Sequence, residues 1–149
     1  MSPRAAAFRR QPLHPSIDEA MIERVVRRFY AKVRADRTLG PIFERAIGED
    51  WGPHLRKMCA FWSSIMRLTG RYHGQAAPAH RALDGVAPAH FRIWLGYFRE
   101  TVEELCEPEA ARLFCDKAER IARSLQTAMF GRPGARTAPG AALRVAGAK

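Results

Sequence analysis

Apolar residues recur at three- and four-residue intervals in the first third of the chain: Ile22, Val25, Val26, Phe29, Tyr30 and Val33. This spacing lines one face of an α-helix about five turns long. Ser16 and Glu19 just ahead of it form an S-x-x-E capping box, which predicts where the helix starts. The pattern stops around Asp36, and LGPIF at 39–43 predicts a Gly-Pro break followed by a short turn of helix. A second long helix is predicted from near Trp51, because Pro53 is tolerated only in a first turn. Its inward face reads His54, Met58, Phe61, Trp62 and Ile65, apolar except at its first member. Gly70 and Gly74 bracket a loop, with a short helical piece at Pro78. DGVAP at 84–88 is a further break, before a helix that turns Phe91, Trp94, Phe98, Thr101 or Val102, and Leu105 inward. Pro108 ends that helix and opens the last one, whose core face is predicted as Leu113, Phe114, Lys117 by its stem, Ile121, Leu125 and Met129. No segment alternates with period two long enough to be a strand, so the predicted fold class is all-α.

From Gly131 the sequence GRPGARTAPGAALRVAGAK carries too little apolar surface to fold. The predicted organisation is a flexible basic tail over 1–15, one helical domain over 16–130 and a disordered basic tail rich in Gly, Ala, Pro and Arg over 131–149. A chain of 149 residues buries roughly 68–70% of its unfolded surface, enough for a core without a metal or disulfide staple. The charge of +10 suggests a nucleic-acid partner until it is mapped. Arg4, Arg9, Arg10, Arg132, Arg136, Arg144 and Lys149 lie in the tails with no acid among them. Of the 25 bases, 18 then remain in the middle against 15 acids. The tails can add weak, salt-sensitive attraction to polyanions, but the folded part has no basic recognition face. Three cysteines, Cys59, Cys106 and Cys115, without CxxC spacing argue against a disulfide framework or a zinc site. No apolar run approaches 18 residues and MSPRAAAFRRQPLHP lacks a signal-peptide pattern, so a soluble cytoplasmic protein with no membrane partner is expected.

Chemistry enters with the polar-tipped residues among the aromatics. Tyr30, His54 and Trp94 each lie on the buried stripe of a different helix, and three such groups can converge on one ligand. Taken singly, each also reads as a packing residue. His80 differs in kind: it follows Pro78 among Ala76, Ala77 and Ala79, which leave room for something bulky. Without Cys, Asp or a further His at ligand spacing, a multi-residue zinc cage is not expected. One histidine suffices, however, when a porphyrin supplies the other four in-plane ligands. An exposed loop histidine is the plain alternative, and spacing alone does not choose. Among the competitors, His73 lies between loop glycines, His90 is expected to face solvent and His14 falls in the tail.

FYAKVRADRTLGPIF, His54 with FWSSIM after it, TGRYHGQAAPAH and HFRIWLGYFRETV together resemble the group III truncated haemoglobins, small bacterial haem proteins with a 2-over-2 helical sandwich. The likeness runs from about Ile17 to Phe130. It includes 26 residues from His54 to His80 and fourteen more to Trp94. What it implies is a haem b (iron protoporphyrin IX) held at a five-coordinate iron by His80. Tyr30 and Trp94 then fall on the distal tyrosine and tryptophan, and His54 on the histidine that swings toward or away from the ligand. Phe43 falls on the phenylalanine packed on the porphyrin, and Phe29, Met58, Phe61 and Trp62 on pocket-lining positions. Pro53 departs from expectation by stiffening the start of the helix that carries His54. Arg71, Tyr72 and His73 are the expected neighbours of the haem propionates.

The implied ligands are O2, NO, CO or peroxide, with an electron-donating reductase as partner. Two distal donors favour a bound ligand with partial negative charge, which suits redox chemistry, NO dioxygenation or peroxidase-like O–O cleavage better than O2 transport. A dedicated peroxidase would want an anionic partner on the proximal imidazole, and no acid but Asp84 follows closely. The sequence therefore leaves open whether the protein is an enzyme. Two rival readings stand beside this one: a haem-independent helical module that binds nucleic acid through its charge, and a helical bundle that senses another small ligand without haem.

Overall fold

The structure is a computed structural model and describes residues 12–72 and 85–131. Its elements, all helical among the described residues, are α1 (Glu19–Ala35), α2 (Leu39–Ile47), α3 (Trp51–Arg67), α4 (Pro88–Leu105) and α5 (Pro108–Phe130). None of these helices is long and apolar enough to cross a membrane. α1 packs against α3, α4 packs against α5, and α1 bears on α4 with α2 tucked beside it. This is the all-α architecture predicted from the pattern.

The predicted α1 stripe is the buried one, from Ile22 through Val33. Its cap is different. Asp18, not Ser16, accepts the Met21 N–H at 2.8 Å, while the Ser16 hydroxyl turns to His14 Nδ1. Glu19 is thereby free to reach α3, where it accepts from the buried Ser63 hydroxyl and pairs with Arg67 and Arg71. LGPIF is also more than a break: it opens the nine-residue α2. The Asp36 carboxylate accepts from Thr38 N and Leu39 N, which leaves Pro41 in a first turn where its missing N–H costs nothing. Gly40 is required there, since a Cβ would meet the Arg34 carbonyl oxygen at 2.6 Å.

On α5 the core face is an alanine stripe. Ala110, Ala111, Ala118 and Ala122 are buried with Phe114, Leu125 and Met129, whereas the expected Leu113, Lys117 and Ile121 are half-buried at its edges. Small residues on that face let α5 approach α4 closely. At the centre, Phe98 of α4 meets an aromatic ring from each of the other three long helices: Phe29 at 5.3 Å, Trp62 stacked at 5.0 Å and Phe114 at 6.1 Å between centroids. A side chain so fully buried contributes about 1.5–3 kcal/mol. The three cysteines are half-buried and unpaired, and burial pushes the Cys106 thiol up to about 11.

Two of the ties are acid-sensitive. Burial raises the Glu19 carboxyl, but hydrogen bonds from Ser63 and Arg67 and the charges of Arg71 and Arg67 bring it below its ordinary 4.5. The Tyr97 hydroxyl, donating at 2.5 Å, and the Leu39 N–H hold Asp36 below 3.8. Both folded values are depressed, so the stability these groups contribute is complete above their unfolded values and lost as pH falls through the folded ones. Thermal melts should change little between about pH 7 and 5 and fall steeply below about pH 4. A Glu19→Gln, Asp36→Asn double variant should melt lower at pH 7 and show a shallower acid limb; an unaltered limb would contradict the assignment.

Candidate functional site

Tyr30 lies on the last two turns of α1, and the start of α3 brings His54 against it. Their ring centroids are 5.1 Å apart with the rings edge to face. Phe43 from α2 closes a third side at 6.1 Å from Tyr30. On the neighbouring side, Phe29 touches both Tyr30 at 4.9 Å and Trp94 of α4 at 5.5 Å. Tyr30, His54 and Trp94, expected from three separate helices, are thus linked in one run of ring contacts, His54 on Tyr30, Tyr30 on Phe29 and Phe29 on Trp94. Burial pushes the Tyr30 phenol far above its ordinary value. It keeps its proton, and hence its capacity to donate, throughout the physiological range.

α3 presents two adjacent apolar stripes. Trp51, Met58, Trp62 and Met66 are buried against the other helices. His54, Phe61 and Ile65, expected to be as deep, are only half-buried. Beyond the helix, Leu68 in a left-handed conformation (φ 57°) turns the chain, and Tyr72 comes back to set its ring edge to face against Phe61 at 5.4 Å. The Tyr72 backbone N–H donates to Ser64 Oγ at 2.8 Å. Arg71, expected beside the propionates, gives its Nη1 to Glu19 at 2.5 Å. His80 and His73 lie outside the described residues. Of the other histidines, His90 is half-buried rather than solvent-facing, because its Nδ1 accepts the Ala87 N–H at 2.9 Å at the start of α4. His14 accepts from Ser16 N and lies 4.0 Å from Glu107.

Trp51 was no part of the expected site. It is 5% exposed, edge-on to His54 at 5.6 Å and tilted on Tyr30 at 5.8 Å. Its position three residues before His54, on the same helical face, was the available signal, masked by its reading as a mere helix start.

The chain is 33% identical over 118 residues to the group 3 truncated haemoglobin Ctb of Campylobacter jejuni, a match spanning 77% of this chain and 93% of that protein. The chain belongs to the group III truncated haemoglobins. The crystal structure of the group III truncated haemoglobin from Campylobacter jejuni superposes with a TM-score of 0.75 at 31% identity, covering 82% of this chain and 98% of the other. No protein-family model matches the chain. As a truncated haemoglobin it is a haem-binding globin whose ligands are small diatomic molecules. The geometry suits that group: the half-buried stripe of His54, Phe61 and Ile65, continued by Tyr72, offers an apolar wall with polar tips. A flat, largely apolar ring needs such a wall, whereas a bare cation does not.

Proposed function

We propose that this truncated haemoglobin binds haem b through His80 and acts in redox or in NO and reactive-oxygen detoxification rather than in O2 transport. The observation that carries the reading is the run of ring contacts that links His54, Tyr30 and Trp94 from three helices, with Phe29 between Tyr30 and Trp94. When bound, haem would supply a redox-active iron able to take O2, NO, CO or peroxide, with an electron-donating reductase as the partner that would return it to the ferrous state. The protein's own residues then set the outcome.

His80 is the proposed metal ligand. The three described histidines support the choice: His14 and His90 accept hydrogen bonds from neighbouring groups, and His54 packs on the distal tyrosine. Phe29, Phe43, Met58, Phe61 and Trp62 would hold the ring by apolar contact. Tyr72 and Arg71, the latter shared with Glu19, are the proposed neighbours of the propionates. Tyr30 can donate or accept a hydrogen bond, Trp94 can only donate, and each donor to a ligand with partial negative charge contributes about 1.5–3 kcal/mol. Acting together on dissociation alone, two donors slow it roughly 10²–10⁴-fold. A protein that releases O2 so slowly serves poorly as a carrier, and a retained, polarised ligand suits chemistry.

Haemin uptake tests this reading. Trp62 and Trp94 belong to the proposed pocket and its rim, so their fluorescence should be quenched to an end point at one equivalent of haemin. Persistent fluorescence would remove the reading.

A further inference from the structure

We propose that Trp51 is a positioning residue that holds His54 against Tyr30, and that Arg34 and Glu44 hold Trp51 from outside. The inference deepens the haem reading above and rests on it for its consequence, though not for its geometry.

His54, Tyr30 and Trp51 form a closed triangle of rings with centroid separations of 5.1, 5.6 and 5.8 Å. His54 meets both neighbours edge to face, at 83° and 89°, the arrangement in which aromatic pairs attract beyond simple burial. Displacing the imidazole therefore breaks two such contacts at once. Trp51 is itself restrained. The Arg34 guanidinium carbon lies 4.4 Å from the indole centroid, within cation–π range. Arg34 is fixed in turn by Glu44, whose carboxylate accepts from its Nε at 3.1 Å. The Trp51 Nε1 is buried and meets no acceptor among the described residues, so within them this indole is placed by its ring faces and edges rather than by its N–H. Pro53 lies between Trp51 and His54 in the first turn and stiffens the backbone that spaces them. The chain Glu44–Arg34–Trp51–His54 thus runs from a surface ion pair to the distal histidine. Its consequence is a distal histidine biased toward staying beside Tyr30, which slows the access of small ligands.

The test uses the full-length protein with and without haem. In the haem-free protein, the His54 ring proton resonances should carry ring-current shifts from Tyr30 and Trp51. These should move toward free-histidine values in Trp51→Leu and part of the way in Arg34→Gln. In the haem-loaded protein, Trp51→Leu should raise the CO association rate about three- to tenfold, equivalent to about 0.6–1.4 kcal/mol. In a His54→Ala background the same substitution should leave that rate unchanged within about 1.5-fold, because the positioned group is gone. An equal increase in both backgrounds, or His54 resonances that ignore both substitutions, would overturn the proposal. Arg34 is exposed, so Arg34→Gln keeps the test decisive if Trp51→Leu does not fold. A wild-type chain that takes up no haem would defeat the haem reading, while the resonance measurement would still decide this one.

Discussion

His80→Ala is expected to lose haem or its protein-iron linkage, with a fall in haem affinity beyond the about 10–100-fold that removing an outer partner of a metal ligand costs. The chain provides no substitute among the described histidines. His14 and His90 are tied to backbone groups at the starts of α1 and α4, and His54 is packed between Tyr30 and Trp51. His73, seven positions upstream in a Gly-bounded sequence, is the remaining rival. A His80→Gly variant separates ligation from folding, since added imidazole should restore the spectrum of the wild-type protein. Retention of wild-type haem affinity by His80→Ala, with loss in His73→Ala, would move the ligand to His73 and redraw the proximal side.

The second large effect concerns the opposite face. Tyr30→Phe or Trp94→Phe should each raise the O2 dissociation rate about 10–100-fold, the equivalent of one hydrogen bond to a partly charged ligand. Both substitutions preserve an aromatic ring against Phe29, so packing is disturbed little. The double variant is not expected to equal the product of the two, because donors that share one acceptor couple. Stopped-flow displacement of O2 by CO measures the rates directly. If neither variant changes the rate by as much as about threefold, well short of one hydrogen bond to a charged ligand, the distal hydrogen-bonding account fails.

The parts of the fold legible in the sequence were those with strong hydrophobic contrast. Ile22 to Val33 on α1 and Phe91 to Val102 on α4 are large apolar residues at helical spacing, and they are the buried ones. On α5, Phe114, Leu125 and Met129 were legible and are buried, but Ala110, Ala111, Ala118 and Ala122 escaped because alanine carries little hydrophobic signal, and the larger Leu113 and Ile121 drew attention to the edge of the stripe. Local rules also missed what tertiary contacts decide. The capping box pointed to Ser16 with Glu19 as its partner, whereas Asp18 caps the helix and Glu19 pairs with Ser63, Arg67 and Arg71 on and beyond α3. The same pairing gives Arg71 a partner that no reading of a loop cation would suggest. Tyr30, His54 and Trp94 were legible as polar tips on three apolar stripes, but the ring contacts that link them, through Phe29 and beside Trp51, needed the packing of α1 on α3 and α4.

The central claim is tested most directly by titrating the purified full-length protein with haemin, reducing it and adding CO. The account predicts one equivalent bound, an intense Soret band that shifts sharply with CO, and quenching of tryptophan fluorescence that ends at the same equivalence point. A colourless protein that leaves the haemin spectrum and its own fluorescence unchanged would contradict it.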